Sequence, residues 1–284
     1  MKLSVVIPTC NRAHTLARAL DSVLAQTLPP AEIIVVDDGS QDATGELLRQ
    51  RYPQVTVLRQ VNSGVSRARN RGVAAARFDW VAFLDSDDSW LPHKLATQAR
   101  ALQSSDSRLC HSDEIWIRHG RRVNPMRKHA KRGGEIFLHC LPRCAISPST
   151  TVLHKTLFDA AGRFDESLPA CEDYDLWLRV CSRHPVLYVP EQLAVRYAGH
   201  DDQLSKRHWG MDRFRVQALA RLLQDSTLRA DYRLAALRTV LEKLDVLIAG
   251  AQKRNNSAGL QHWRAQRAEH ATALEALAAT TRVA

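Results

Sequence analysis

The 284-residue chain predicts an α/β fold: a mainly parallel sheet with flanking helices, followed by a C-terminal all-α extension. Three observations carry this. Short apolar runs alternate with helix-spaced runs in the order β-α-β-α-β-α-β, and such alternation builds a parallel sheet covered by helices. Two of the apolar runs end in acidic turns, Asp37-Asp38-Gly39-Ser40 and Asp85-Ser86-Asp87-Asp88. From about residue 206 glycines become few, and leucines recur at helical spacing.

The elements follow in order. Leu3–Ile7 is a short apolar strand. Over 12–26, Leu16, Leu20, Val23 and Leu24 fall on one helix face, and Pro29-Pro30 ends that helix. Strand 32–36 precedes a helix over 41–51 whose N-cap is Ser40 or Asp42. Strand 55–58, an Ala- and Arg-rich helix over 63–76 and strand 80–84 complete the alternation. A helix over 92–104 and a strand over 108–117 come next. Residues 118–134 lack periodicity and read as a long loop; loops of that length inside a domain are usually functional or disordered. Regular signals return at 150–153, 155–161 and 174–183, with two short strands at 186–189 and 193–197. Leu219, Leu222, Leu223, Leu237, Val240, Leu241, Leu244 and Leu247 place two to four helices in the tail.

Composition bounds the class. A hydrophobic content of 45% and a charged content of 25% are ordinary for a globular protein, and no window reaches the length of a membrane span. The N-terminus is too quickly broken by Pro8 for a signal peptide, so a cytoplasmic location is expected. The six cysteines lack paired CxxC spacing and read as buried free thiols, with Cys140 and Cys144 spaced to share a helix face. The net charge of +10 is uneven: residues 206–284 hold 14 Lys/Arg against 7 Asp/Glu, and residues 118–132 carry seven Lys/Arg and no acid. Such excess attracts polyanions, among them anionic lipid headgroups and phosphorylated substrates, although scattered surface charge also serves solubility.

The acidic turns suggest the chemistry. Asp85, Asp87 and Asp88 follow a buried strand directly. Hard divalent cations take oxygen ligands, and in phosphate chemistry they use one or two carboxylates plus substrate phosphates. Open α/β sheets bind ligands at strand carboxyl ends. Asp, Gly and Ser are also ordinary turn residues, but two such turns together favour a site. The first βα turn, Pro8-Thr9-Cys10-Asn11-Arg12, has no G-x-G-x-x-G, and there is no phosphate-cradling G-x-x-x-x-G-K-[ST] loop; dinucleotide-cofactor and P-loop readings are thereby disfavoured.

Five segments in order resemble the family 2 nucleotide-sugar glycosyltransferases, whose Rossmann-like fold is called GT-A. They are Val5-Val6-Ile7-Pro8-Thr9-x-Asn11-Arg12; Val35-Val36-Asp37-Asp38-Gly39-Ser40; Asn62-Ser63-Gly64-Val65-Ser66-x-Ala68-Arg69-Asn70-x-Gly72; Phe83-Leu84-Asp85-Ser86-Asp87-Asp88-x-Trp90-x-Pro92; and Glu172-Asp173-Tyr174-Asp175-Leu176-Trp177-Leu178-Arg179 with Tyr197-x-x-His200. The resemblance spans about residues 1–205. It implies a nucleotide-binding half over 1–105, an acceptor-binding half over 106–205, and a helical extension over 206–284 outside the resemblance.

It also implies roles. Pro8, Thr9 and Arg12 lie by the nucleotide, and guanidinium donors match phosphate oxygens. Asp38 accepts from the N3–H of uracil or thymine, with Asp37 beside it. Arg69 reaches the base or phosphate side, while Arg67 and Arg71 are solvated. Asp87 ligates Mn²⁺ or Mg²⁺ directly, Asp85 faces the ribose or the metal shell, and His200 completes the metal or diphosphate shell. Asp173 is the base that deprotonates an acceptor hydroxyl, and Glu172 lies beside it on the acceptor side. Simpler roles stay open: a turn or capping role for Asp37, Asp38 and Asp88, a core position for Trp90, and packing or solvent for His200. Asp173 also suits a helix start, where a carboxylate gains ~0.3–1 kcal/mol from the dipole.

The function so implied is inverting transfer of a single sugar from a UDP- or dTDP-sugar to a hydroxyl of a glycan, glycolipid or protein acceptor. The setting, by family analogy, is cell-envelope polysaccharide, lipopolysaccharide or glycoprotein synthesis. Processive relatives carry a Q-x-x-R-W motif that is missing here. A nucleotidyl or phosphoryl transferase could use the same metal but has no need of Glu172-Asp173. A nucleic-acid-binding protein fits the pI of about 9.6, but the basic residues lack interleaved aromatics and any helix-turn-helix or RRM signature, so no nucleic-acid partner is expected. A catalytically silent glycan-binding scaffold has no use for intact acidic motifs. Peripheral association with the inner membrane face through loop 118–132 and the tail, and a homodimer through the C-terminal helices, are further expectations. A solvated loop is the plainer reading.

Overall fold

The computed structural model describes residues 1–199 and 208–283. Its first half alternates β1 (Leu3–Thr9), α1 (Ala13–Leu24), β2 (Glu32–Asp38), α2 (Thr44–Arg51), β3 (Thr56–Gln60), α3 (Val65–Ala75) and β4 (Trp80–Phe83). β1 pairs in parallel with β2 and with β4, and β2 with β3, as the strand–helix alternation predicts. All seven residues of β1 are buried, because helices cover both faces of this half. The two-residue period then divides the strand. Val5 and Ile7 enter one core with Leu16 and Leu20 of α1; Val6 enters the other with Ala68 and Val73 of α3. Gly72 permits that second contact, since a Cβ there would lie 2.4 Å from Val6 Cγ1.

The next elements are β5 (Ser89–Trp90), α4 (Lys94–Gln103), β6 (Leu109–Arg118), β7 (Arg121–Val123), α5 (Phe137–Cys140), β8 (Thr151–His154), α6 (Lys155–Ala160), α7 (Glu172–Cys181) and β9 (Leu187–Ala198). The strand order is β3-β2-β1-β4-β8-β6-β9-β5, with β7 on β6. β8 runs antiparallel to β4 and β6, β5 antiparallel to β9, and β6 parallel to β9. The parallel half is thus continued into one mixed sheet.

Three details differ from the sequence expectation. The two short strands at 186–197 are one strand, β9, whose register against β6 shifts beside Asp113. Pro190 falls in that irregularity, where a residue without an N–H is tolerated. The basic segment 118–134 is not a structureless loop. It holds β7 and a 3₁₀ turn at Arg127–His129. Three side chains pin it: His111 Nε2 bonds the Arg132 carbonyl at 2.8 Å, His139 Nε2 the Ala130 carbonyl at 2.8 Å, and Arg143 Nη1 the Lys128 carbonyl at 2.7 Å. Finally, α5 ends at Cys140, so Cys140 and Cys144 do not share a helix face; all six cysteines are free thiols.

The C-terminal extension comprises α8 (Asp212–Leu223), α9 (Ala230–Lys253) and α10 (Ser257–Val283). Its first two helices share a core with α7: Phe214, Leu219, Val240 and Leu244 join Tyr174, Leu176 and Trp177. Phe137 of α5 stacks on Tyr232 of α9 at 4.3 Å, and Lys243 Nζ donates to the Pro142 carbonyl at 3.0 Å. Among the described residues no helix is long and apolar enough to cross a membrane.

Candidate active site

The site is built where β1, β2 and β4 end. β2 extends through Asp38, so Asp37 and Asp38 are the last strand residues and both are buried. Asp38 is occupied by its own chain: Oδ1 accepts from Ser63 N and from Gln60 Nε2, each at 2.8 Å, and Oδ2 accepts from Gly64 N at 2.9 Å. It therefore fixes the β3–α3 connection. Asp37 Oδ1 accepts from Ser40 N at 2.9 Å, and Arg59 Nε lies 3.7 Å from its Oδ2. Gly39 makes the turn with φ +78°, and a Cβ there would meet Asn62 N at 2.8 Å. A polar recess of about 290 Å³ opens here, lined by Asp37, Gly39, Ser40, Asp42, Glu46 and Arg59. The N-cap of α2 is Ala43; Asp42 supports the helix from one residue earlier, its Oδ1 accepting from Thr44 N at 3.0 Å.

Pro8 and Thr9 close β1, and both are buried. The Thr9 hydroxyl is buried without a hydrogen-bond partner, an unmet polar group at the strand end. Arg12 Nη2 lies 3.9 Å from Asp87 Oδ2. Arg18 Nη2 donates to the Asp87 carbonyl at 2.5 Å while its guanidinium covers the Tyr197 ring at 3.6 Å. α1 is thereby tied to the acidic turn.

Arg69 joins the two halves of the site. Nη2 donates to Asp85 Oδ1 and Nη1 to Glu172 Oε1, each at 2.6 Å. Arg69 and Glu172 are buried at 3% and 4% exposure, so water does not screen this pair. Burial alone would lower the Arg69 pKa, but Asp85 and Glu172 outweigh it and raise the pKa. Burial pushes the Glu172 carboxyl up, to about 7, against the pull of Arg69. Arg67 and Arg71 lie at the surface, as expected; Arg67 Nε is 3.9 Å from Glu166, and Arg71 Nη1 donates to the Arg59 carbonyl at 2.6 Å.

Asp88 is not the cap the sequence suggested. It is buried, accepting from Ser149 Oγ at 2.6 Å and from Tyr197 N at 3.1 Å, and so clasps the acidic turn to β9. Burial raises its pKa well above the usual carboxylate value, and the charges of Asp87 and Asp85 add to that. Ser149 also accepts from Asp85 N at 3.1 Å, and its carbonyl takes the Trp90 indole N–H at 2.7 Å. Trp90 itself is core, at 4% exposure.

Asp173 occupies the first turn of α7, after Cys171 in a left-handed conformation at φ 64°. Its Oδ1 accepts from Tyr174 N at 2.7 Å and its Oδ2 from Cys144 Sγ at 3.2 Å. Burial, then the neighbouring Asp173 charge, keep that thiol protonated by raising its pKa. Leu176, Trp177 and Val180 bury the apolar stripe of α7. Arg179 bonds Asp175 and the Ala161 and Arg163 carbonyls. His200 lies outside the described residues.

The described residues hold no group of three or more His, Cys, Asp or Glu arranged to hold a metal ion. The donor chemistry still fits a cation held partly by substrate: Asp85 and Asp87 bring carboxylate oxygens to one turn, and Mg²⁺-type ions bind through one or two carboxylates plus phosphates. The structure thus brings together Arg12, Asp85, Asp87, Arg69 and Glu172, with Asp173 next to Glu172. Sequence reading missed Ser149, Asp88 as a clasp, and Arg18. No motif marks Ser149; its role exists only once β8 and the acidic turn are adjacent.

A parallel half-sheet extended by antiparallel strands, with an acidic turn bridged by arginine to a helix-borne Glu-Asp pair, defines a chain of GT-A architecture. Residues 4–145 match the family described as Glycosyl transferase family 2, and the chain belongs to that family. An uncharacterized glycosyltransferase of Rickettsia typhi (strain ATCC VR-144 / Wilmington) is 31% identical over 215 residues, covering 71% of this chain and 65% of that protein. The chain therefore spans less than two-thirds of that relative's length. The uncharacterized glycosyltransferase YwdF of Bacillus subtilis (strain 168) is 28% identical over 251 residues, 81% of this chain and 92% of that protein. Among solved structures, S. aureus TarS 1-349 in complex with UDP-GlcNAc is similar at a TM-score of 0.71 with 18% identity, over 99% of this chain and 92% of that one.

Proposed function

We propose that the chain is an inverting glycosyltransferase that moves a single sugar from a UDP- or dTDP-sugar to an acceptor hydroxyl. The observation that carries this reading is Arg69, which joins Asp85 of the acidic turn to Glu172 beside Asp173. A nucleotidyl or phosphoryl transferase would have no need of that second carboxylate pair. TarS was solved with UDP-GlcNAc, which supports a UDP-linked donor.

In this reading Pro8, Thr9, Asp37, Asp38 and Arg12 bound the nucleotide, with Asp38 acting through the loop it fixes and Arg12 facing the diphosphate. Mn²⁺ or Mg²⁺, held by Asp87 with Asp85 and His200, would neutralise the charge on the departing nucleoside diphosphate. Asp173 takes the proton from the acceptor hydroxyl as that oxygen attacks the anomeric carbon opposite the leaving group. The Cys144 thiol and Tyr174 N hold both Asp173 oxygens. Glu172, tied to Arg69, sets the first turn of α7 and with it the approach of Asp173. The division at about residue 105 and at 205 assigns donor, acceptor and helical parts. A cytoplasmic enzyme, peripheral at the inner membrane face and paired through its C-terminal helices, completes the reading. The test is incubation with a panel of nucleotide sugars and Mn²⁺ or Mg²⁺, reading released nucleoside diphosphate. Release from no donor, with or without metal, overturns it.

A further inference from the structure

We propose that Trp116 and Arg196 form an acceptor subsite for a sugar that carries an anionic oxygen group, a phosphate or a carboxylate. The proposal rests on the glycosyltransferase reading and names the chemical class of its acceptor.

Trp116 on β6 and Arg196 on β9 are register partners in the parallel pair. The Arg196 guanidinium lies 5.5 Å from the Trp116 ring centre, and His129 of the pinned basic segment lies against the same ring at 5.2 Å. The indole N–H donates to Glu114 Oε1 at 2.9 Å, which fixes the ring. Lys131 Nζ, 3.3 Å from Glu114 Oε2, ties the basic segment to the same carboxylate. Trp116 and Arg196 are both half-buried, so an aromatic face and a cation reach a shared, partly enclosed surface. An indole offers a rigid apolar face with one polar end, suited to the C–H side of a sugar ring.

Arg196 is the informative residue. Among the described residues no hydrogen bond or ion pair ends on its guanidinium. A guanidinium presents five donors in a fork that fits two anionic oxygens. Three carboxylates act on it from a distance. Burial would lower its pKa, but Glu114, Asp88 and Asp173 raise it, so the side chain stays charged. Each of those carboxylates is engaged elsewhere: Glu114 with Trp116 and Lys131, Asp88 with Ser149 and Tyr197 N, Asp173 with Cys144 and Tyr174 N. They sustain the charge without taking the donors.

Position assigns the ligand to the acceptor. Neighbouring strand residues point to opposite sides. Tyr197 lies under Arg18 of α1, on the nucleotide half, whereas Arg196 lies over Trp116 toward the basic segment. Asp88 of the acidic turn and then Asp173 are among the charges that reach Arg196, so the subsite lies within electrostatic range of both the acidic turn and the candidate base. Arg143, Lys128 and Arg196 all depress the His129 pKa, after its burial, which marks this wall as positive.

The test measures binding of glucose 6-phosphate, glucuronate and glucose by calorimetry, with UDP added to occupy the donor side. Charged sugars should bind at least ~10-fold more tightly than glucose, a factor equivalent to ~1.4 kcal/mol. Arg196→Gln should remove that preference, and Arg196→Lys should keep part of it. The two charged ligands separate a phosphate from a carboxylate acceptor. Equal binding of glucose and both charged sugars, or a preference that survives Arg196→Gln, overturns the proposal. UDP binding, measured first, reports separately on the glycosyltransferase reading, and the charge preference is readable with or without UDP. Should Arg196→Gln unfold, the wild-type preference and the Arg196→Lys variant still decide.

Discussion

Replacing Arg69 by Met should destabilise the protein by ~3–5 kcal/mol, because removing one partner of a buried pair leaves the other charge uncompensated. The structure says which partner dominates. The Glu172 side chain is 5% exposed, whereas that of Asp85 is 29% exposed and can be rehydrated. The loss is therefore mainly that of a carboxylate stranded beneath α7. It is large against the ~5–15 kcal/mol that holds a typical domain together. The sign with pH follows. Without the guanidinium, burial raises the Glu172 pKa unopposed, further above its unfolded value. A carboxyl whose folded pKa is raised contributes stability that is present below the unfolded pKa and lost as pH rises through the folded one. The deficit of Arg69→Met should thus be small near about pH 4–5 and grow toward about pH 8. Urea unfolding of wild type, Arg69→Met and Arg69→Met/Glu172→Leu across that range measures it. The double variant should regain most of the loss, since an apolar pair replaces an ionic one without a stranded charge. A cost below ~1 kcal/mol, a deficit that ignores pH, or no recovery in the double variant would refute the reasoning.

Asp173→Asn should lower transfer on the order of 10²–10⁴-fold while UDP binding by calorimetry stays near wild type; normal transfer would return Asp173 to a capping role. Asp87→Asn should keep the far-UV spectrum and abolish metal-dependent turnover, a loss of several kcal/mol in transition-state stabilisation; full activity in that variant or in EDTA would remove the metal from the mechanism. Lys94 is fully buried over the Trp90 ring at 4.0 Å, and burial pushes its pKa down to about 7. The folded state then releases a proton that the unfolded chain keeps, so stability should rise as pH climbs from about 7 toward about 10.5. Lys94→Met should raise the melting temperature at neutral pH and flatten that rise, and an unchanged pH slope would count against it.

The first half of the fold was legible because its strands and helices alternate with clear periods and its motifs sit at their junctions. Gly72 was readable only as part of a motif; its reason, that a Cβ there would lie 2.4 Å from Val6 Cγ1, is a tertiary fact. The second half was harder. β9 reads as two strands because Pro190 breaks the pattern, yet the bulge absorbs it. The basic segment shows no period because its order comes from His111, His139 and Arg143, which reach its carbonyls from outside any one helix or strand period, 9 to 21 residues away.

Three aspartates within four residues also show why a motif cannot rank its own members. Left together, Asp85, Asp87 and Asp88 would repel one another. The fold separates them by surroundings. Asp88 is buried, its pKa raised, and it clasps Ser149 and β9. Asp85 faces a buried arginine that also holds Glu172. Asp87 lies toward Arg12, with its carbonyl held by Arg18. These contacts come from α1, α3, the turn before β8, and β9, so the acidic turn is fixed from both halves of the sheet at once. A substitution that loosens either half should therefore disturb all three aspartates together, a coupling that their spacing does not record.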